Sequence, residues 1–414
     1  MTIYHIFAPD ELKASITLPA SKSISNRALI INALCKNSTT LLNLSSCDDT
    51  DVVIKALSER KRIINVGAAG TAMRFLTACL AGQHGSFVIA GTERMNNRPI
   101  RLLVESLQQV GAYISYIEKE GFPPLHIEGH TLTGGEISLD GSVSSQYISA
   151  LLMVAPAMTK GLRLHLTGAI SSKPYIDMTI ALMRHFGAAV FEAGQSFIVP
   201  AQSYSPVDHF TVEPDWSAAS YWYEMMALSK DRNASVTLQG LRCDSIQGDA
   251  SIVELFDRLG VSTSFHSSGI TLAKKRLTSE MICLFQFDFT DMPDMAQTVA
   301  VTCAMLHIPF HFTGLHSLKI KETDRLFALQ TELRKLGYVL DILNDNALQW
   351  HGERCEAEPS PVIATYEDHR MAMAFAPVAL CLDAGICIAH PEVVSKSYPK
   401  FWDDLKSANF SIKN

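Results

Sequence analysis

Five segments of this chain place cations close to where a helix starts, at Lys22 and Arg27, Arg74, Arg98, Lys321 and Arg325, and His369 and Arg370. The positive end of a helix dipole disfavours a cation by on the order of 0.3 to 1 kcal/mol, and a bound anion removes that penalty. Five such placements in one chain point to a shared cleft that holds an anion. Neutral donors follow the same pattern. Ser144, Ser145 and Gln146 open one apolar run and Ser172 and Tyr175 open another, where hydroxyls and backbone N–H groups can hold a phosphate, although serines at helix starts are also ordinary caps. Two carboxylates supply proton chemistry. Asp294 follows Pro293 in a first turn, whose dipole keeps it ionised and able to take a proton from a hydroxyl, while Glu322 lies between Lys321 and Arg325. Lys396, before Pro399, adds a further cation.

The elements that position these residues are legible from spacing. Leu326, Leu329, Leu333 and Leu336 predict an amphipathic helix over 323–335, closed by Gly337. Ser21 reads as an N-cap after Pro19, Pro99 as the first helical residue beyond Arg98, and Asp368 as the cap preceding His369 and Arg370. GAAGTAMR, 67–74, opens a helix with small residues that let an anion approach, and Pro174 is expected to hold Ser172 and Lys173 extended. Four helices end at Gly111, Gly187, Gly260 and Gly337, separated by 76, 73 and 77 residues, and each leads into a β-rich run. That period predicts repeated α/β modules built by duplication. The proline-containing stretch 205–215 is the best interior boundary, and the first strand is free to pair with the second half.

Composition narrows the class. The 414 residues are 47% hydrophobic, enough for two cores, and 35 Lys plus Arg against 42 Asp plus Glu give a net charge of -7, which argues against nucleic acid as partner. Nine cysteines form no CxxC pair and read as reduced core thiols rather than disulfides or metal ligands. The first twenty residues lack the features of a signal peptide, and no apolar run reaches membrane-spanning length. A soluble, cytoplasmic protein with no membrane partner is the expectation.

Taken jointly and in order, SKSISNR (21–27), GAAGTAMR (67–74), RPI (98–100), SSQY (144–147), SKPYID (172–177), PDMA (293–296), KETDR (321–325), DHRMAM (368–373) and KSYP (396–399) resemble the 5-enolpyruvylshikimate-3-phosphate synthase family. The resemblance implies an α/β fold of two similar globular domains, each of three βαβαββ units, with the active site in the interdomain cleft. The boundaries are then 20–213 for one domain, and 1–19 with 214–414 for the other. It implies a monomer that transfers the enolpyruvyl group of phosphoenolpyruvate to the 5-hydroxyl of shikimate 3-phosphate, a step toward aromatic amino acids, with no metal or organic cofactor.

By motif position the resemblance assigns Lys22, Ser23, Arg27, Ser144, Ser145, Gln146, Ser172, Tyr175, Asp294, Ser317 and Lys321 to shikimate 3-phosphate. It assigns Lys22, Gly70, Arg98, Gln146, Arg325, Arg370 and Lys396 to phosphoenolpyruvate, with Asp294, Glu322 and Lys22 as catalytic groups. Gly70 stands where sensitive family members carry the glycine that admits glyphosate, so competition with phosphoenolpyruvate is expected. Ala68 and Ser317 replace asparagines usual in the family, which should alter affinity rather than reaction type. The alternative within the same fold is UDP-N-acetylglucosamine enolpyruvyltransferase, whose reactive cysteine has no counterpart in Glu93 to Asn97.

Overall fold

Gly111, Gly187, Gly260 and Gly337 have φ of +103°, +78°, +86° and +88° in the computed structural model, each in the left-handed region just beyond a helix. Those helices are Arg101–Gln109, Lys173–His185, Ile252–Arg258 and Arg325–Lys335. Glycine adopts this backbone without a Cβ penalty, so each turn redirects the chain from helix into a β-hairpin. The structure describes residues 2–59, 61–275 and 283–414.

One repeat shows the construction. Ile63–Asn65 and Gly85–Ala90 pair in parallel through the helix Gly70–Ala81, and the hairpin Tyr113–Tyr116 and Leu125–Gly129 completes a four-stranded sheet by antiparallel pairing. Four sheets follow this scheme, each with one parallel and two antiparallel pairings. A fifth does so with a borrowed strand. Ile3–Phe7 lies between Ile386–Ala389 and Ser411–Lys413, with Ile6 opposite both Ile386 and Ile412. Among the described residues the sixth sheet holds only the parallel pair Thr40–Leu42 and His209–Thr211.

The chain divides into two compact units, one of residues 1–19 with 213–414 and one of residues 20–212. Each has its own core. In the second unit, Gly70–Ala81 is buried at every position except Thr71, and Ser145–Val154 at every position except Gln146. A helix buried on all sides lies inside a bundle, so its interior polar groups answer to neighbouring helices and only its end can present polar groups to a ligand. In the other unit Ala296–Met305 is wholly buried, in one core with Trp216, Trp222, Phe285 and Phe310.

Several helix starts differ from expectation. Arg325, not Thr323, begins its helix, because Asp324 caps it by accepting from the Phe327 amide at 3.1 Å. Lys321 and Glu322 therefore lie on the preceding loop. Pro99 precedes the helix Arg101–Gln109, since Ile100 is the cap and its amide is committed to the Gly121 carbonyl at 2.9 Å. Pro293–Met295 is a 3₁₀ turn leading into Ala296–Met305. Lys173 is helical rather than extended, with Pro174 in the first turn, and Ser172 adopts φ 55° and ψ 39°. The caps at Ser21 and Asp368 form as expected, accepting from the amides of Ile24 and Arg370.

Candidate active site

In the unit of residues 20–212, the helices Lys22–Leu34, Ser145–Val154 and Lys173–His185 meet at Arg27. Its guanidinium donates to the Thr179 hydroxyl at 2.6 Å, the Ser23 carbonyl at 3.0 Å, the Tyr175 carbonyl at 3.2 Å and the Ser149 hydroxyl at 3.3 Å. All four acceptors are neutral oxygens, so the buried charge is not cancelled by them. Burial lowers the Arg27 pKa to about 10, which leaves it protonated at neutral pH. Arg27 thus fixes Ser23 and Tyr175 while holding positive potential behind them. Lys22 meets Asp49 at 3.2 Å, both largely buried.

The Gln146 side-chain Nε2 donates to the Thr71 hydroxyl at 3.1 Å, joining the half-buried first turns of the two buried helices. Ser144 caps its helix by accepting from the Gln146 amide, and Ser145 is buried beside it. Arg98 lies over the start of Gly70–Ala81: a Cβ placed on Gly70 would stand 2.6 Å from Arg98 Nη1 and 3.2 Å from Arg74 Nη1. Ala68 occupies the turn just before this helix and offers no polar side chain.

In the other unit, Asp294, Glu322 and Asp368 interleave with Lys321, Arg325 and Arg370. Asp294 Oδ1 accepts from Arg325 Nη1 at 2.8 Å and lies 3.5 Å from Lys321 Nζ, while Oδ2 accepts from Arg370 Nη2 at 3.2 Å. Arg325 also donates to Glu322 at 2.9 Å and to Asp368 at 2.7 Å. Three carboxylates balance three cations. The cations expected at bare helix starts are therefore compensated by carboxylates, some distant in sequence. Asp368 was legible only as a cap, and its second role as the buried partner of Arg325, 43 residues away, left no local signal.

Burial alone would raise the Asp294 carboxyl, but Arg370, Lys321 and Arg325 outweigh it and hold the group well below the usual carboxylate range. These charges, rather than the helix dipole, keep it ionised. Ser317 lies on the 3₁₀ turn His316–Ile320, which packs against both Arg325–Lys335 and Pro293–Met295. Lys396 ends Pro391–Lys396, packed on the helix of Arg370.

Asp249 is an acid that the sequence did not single out. It is buried, accepts a close hydrogen bond from the Ser217 hydroxyl and feels the charge of Arg370. Burial pushes its carboxyl up to about 6, against about 3.9 in an unfolded chain. The folded state then binds the proton more tightly, so this group lowers stability as pH rises from about 4 to 6, by roughly 3 kcal/mol in all. Asp249→Asn should gain stability relative to wild type between pH 4 and pH 7. Denaturant unfolding at both values tests this, and a difference independent of pH contradicts it.

The family model for EPSP synthase (3-phosphoshikimate 1-carboxyvinyltransferase) matches residues 6–61 and 56–405. The chain belongs to this family. A curated relative from Bacteroides fragilis YCH46, named 3-phosphoshikimate 1-carboxyvinyltransferase, is 57% identical over 411 residues, covering 99% of this chain and 98% of the relative. A relative of the same name from Sulfurovum sp. NBC37-1 is 35% identical over 430 residues, covering 96% of each chain. Among solved structures, an EPSP synthase from Acinetobacter baumannii superposes with a TM-score of 0.78 at 19% identity, covering 100% of both chains, which establishes the α/β fold. Family and relatives give no support to the UDP-sugar alternative. Among the described residues no helix is long and apolar enough to cross a membrane.

Proposed function

We infer that the chain is a 3-phosphoshikimate 1-carboxyvinyltransferase, moving the enolpyruvyl group of phosphoenolpyruvate to the 5-hydroxyl of shikimate 3-phosphate and releasing phosphate. The observation that carries the catalytic reading is Asp294, an ionised carboxylate held by Arg325, Arg370 and Lys321. A carboxylate so stabilised is a weak base. When an anionic substrate draws Arg370 and Lys321 toward itself, Asp294 loses part of that stabilisation, its proton affinity rises, and it can take the hydroxyl proton. Arg325 bridges Asp294 and Glu322, which couples the group that gains a proton to the proposed donor toward the methylene carbon.

Shikimate 3-phosphate is assigned to Lys22, Ser23, Arg27, Ser144, Ser145, Gln146, Ser172, Tyr175, Asp294, Ser317 and Lys321, supported by the uncancelled charge of Arg27 behind hydroxyl donors. Phosphoenolpyruvate is assigned to Lys22, Gly70, Arg98, Gln146, Arg325, Arg370 and Lys396. The domain boundaries, a cytoplasmic location and a monomeric state belong to the same reading. Phosphate release from a mixture of the two substrates tests it. Release with the UDP-sugar but none with shikimate 3-phosphate overturns it.

Gly70 supplies a sharper check on the phosphoenolpyruvate assignment. An alanine Cβ would press on the Arg98 guanidinium, which must then move from its place over the helix start. Loss of one well-formed charged hydrogen bond corresponds to about 10-fold or more in binding. Gly70→Ala is expected to raise KM for phosphoenolpyruvate about 10-fold and the glyphosate inhibition constant further. Inhibition as ready as in wild type contradicts the steric argument.

A further inference from the structure

The residue after Gln146 has no part in the assignments above, yet it reaches the segment that carries Arg98. Tyr147 is 6% exposed, and its hydroxyl donates to the Pro99 carbonyl at 2.6 Å. Arg74 Nη2 donates to the same carbonyl at 3.3 Å, while Arg74 Nη1 donates to the Gly70 carbonyl at 3.1 Å. Upstream, the Arg98 amide donates to the Met95 carbonyl at 3.0 Å, and downstream the Ile100 amide donates to Gly121. The backbone on both sides of Arg98 is therefore held, at the Arg98 amide, the Pro99 carbonyl and the Ile100 amide, and Tyr147 supplies the shortest of these bonds.

We propose that Tyr147 is a positioning residue that fixes Arg98 over the start of the helix Gly70–Ala81 by holding the Pro99 carbonyl. This rests on the reading that Arg98 binds phosphoenolpyruvate, and adds the group that sets its position. Tyr147 belongs to the helix Ser145–Val154, whose first residue and Ser144 cap are assigned to shikimate 3-phosphate and whose Gln146 contacts Thr71 beside Gly70. A displacement at that helix start reaches Arg98 through one rigid ring and one hydrogen bond. Occupancy of the serines is thereby linked mechanically to the second substrate's arginine.

Tyr147→Phe keeps the ring in the core and removes only the donor. The expected result is a KM for phosphoenolpyruvate raised about 3- to 10-fold, the range for one lost hydrogen bond, with kcat and KM for shikimate 3-phosphate within about twofold of wild type. In an Arg98→Lys background the same change should have little further effect on KM for phosphoenolpyruvate, because it acts through Arg98. Arg74→Gln, which removes a donor to the same carbonyl, should shift the same constant. Calorimetric binding of phosphoenolpyruvate reads the same effect without turnover. Wild type that binds phosphoenolpyruvate but releases no phosphate with shikimate 3-phosphate would count against the enzymatic reading while the binding constants still decide this one. Unchanged phosphoenolpyruvate affinity in Tyr147→Phe, an equal rise in both KM values, or an undiminished effect in the Arg98→Lys background overturns the proposal.

Discussion

Arg325→Met is expected to cost about 3 to 5 kcal/mol of stability, the range for breaking a buried ion pair by removing one partner. Arg325 is 2% exposed and serves three carboxylates, of which Asp368 is fully buried. Removing it leaves three negative charges facing two cations in a site largely closed to water. Desolvation opposes the Arg325 charge, but Asp368, Glu322 and Asp294 more than reverse it, raising its pKa. Methionine has comparable length and no charge, so the loss measures the charge network rather than a cavity. Chemical denaturation read by two probes tests this. A loss below about 1 kcal/mol would mean that the carboxylates find other partners. Adding Asp368→Asn should recover part of the stability, because the most deeply buried unpaired acid is then neutral.

Asp294→Asn is expected to reduce kcat by about 10²- to 10⁴-fold, the usual contribution of a positioned general base. The same substitution removes one negative charge from a balanced cluster and leaves Lys321, Arg325 and Arg370 facing two carboxylates. KM for phosphoenolpyruvate should therefore hold steady or fall while kcat collapses. A residue that merely supported the fold would weaken binding and turnover together. The pH dependence adds an independent readout. A depressed carboxylate contributes stability above its unfolded value, about pH 4, and loses it as pH falls through the folded value. Wild type should lose this contribution on acidification below about pH 4, whereas Asp294→Asn has none to lose. Identical acid unfolding of the two proteins, or kcat within tenfold of wild type, would remove Asp294 from the role of base.

The sequence exposed those parts of the molecule that rest on short-range signals. Ser21 and Asp368 cap their helices through bonds spanning two or three residues, and the recurrent glycines need a backbone that other residues resist. Pro99 misled because its neighbour Ile100 answers to Gly121, a tertiary partner that spacing cannot reveal. Thr323 misled because Asp324, one residue on, is the better cap. The charge partners were hidden for a related reason. Asp49 for Lys22 and Asp368 for Arg325 lie 27 and 43 residues from the cations they balance. Helix-dipole reasoning found where cations were misplaced but not which acids offset them, and so it overstated how much positive charge one unit leaves uncancelled.

The borrowed strand Ile3–Phe7 has a consequence for synthesis. Its neighbours, Ile386–Ala389 and Ser411–Lys413, are made long after it, whereas residues 20–212 form a unit from one continuous stretch. At roughly 5 to 20 residues per second, the amino-terminal strand waits on the order of 20 to 80 seconds for a partner. During that interval the inserted unit can fold alone while its flanking segment stays unpaired, a natural substrate for holding by a chaperone. Once complete, the sheet sets Ile3–Phe7 beside Ser411–Lys413, so linking these two strands through a short peptide and opening the chain elsewhere would let the waiting strand be made alongside its neighbours.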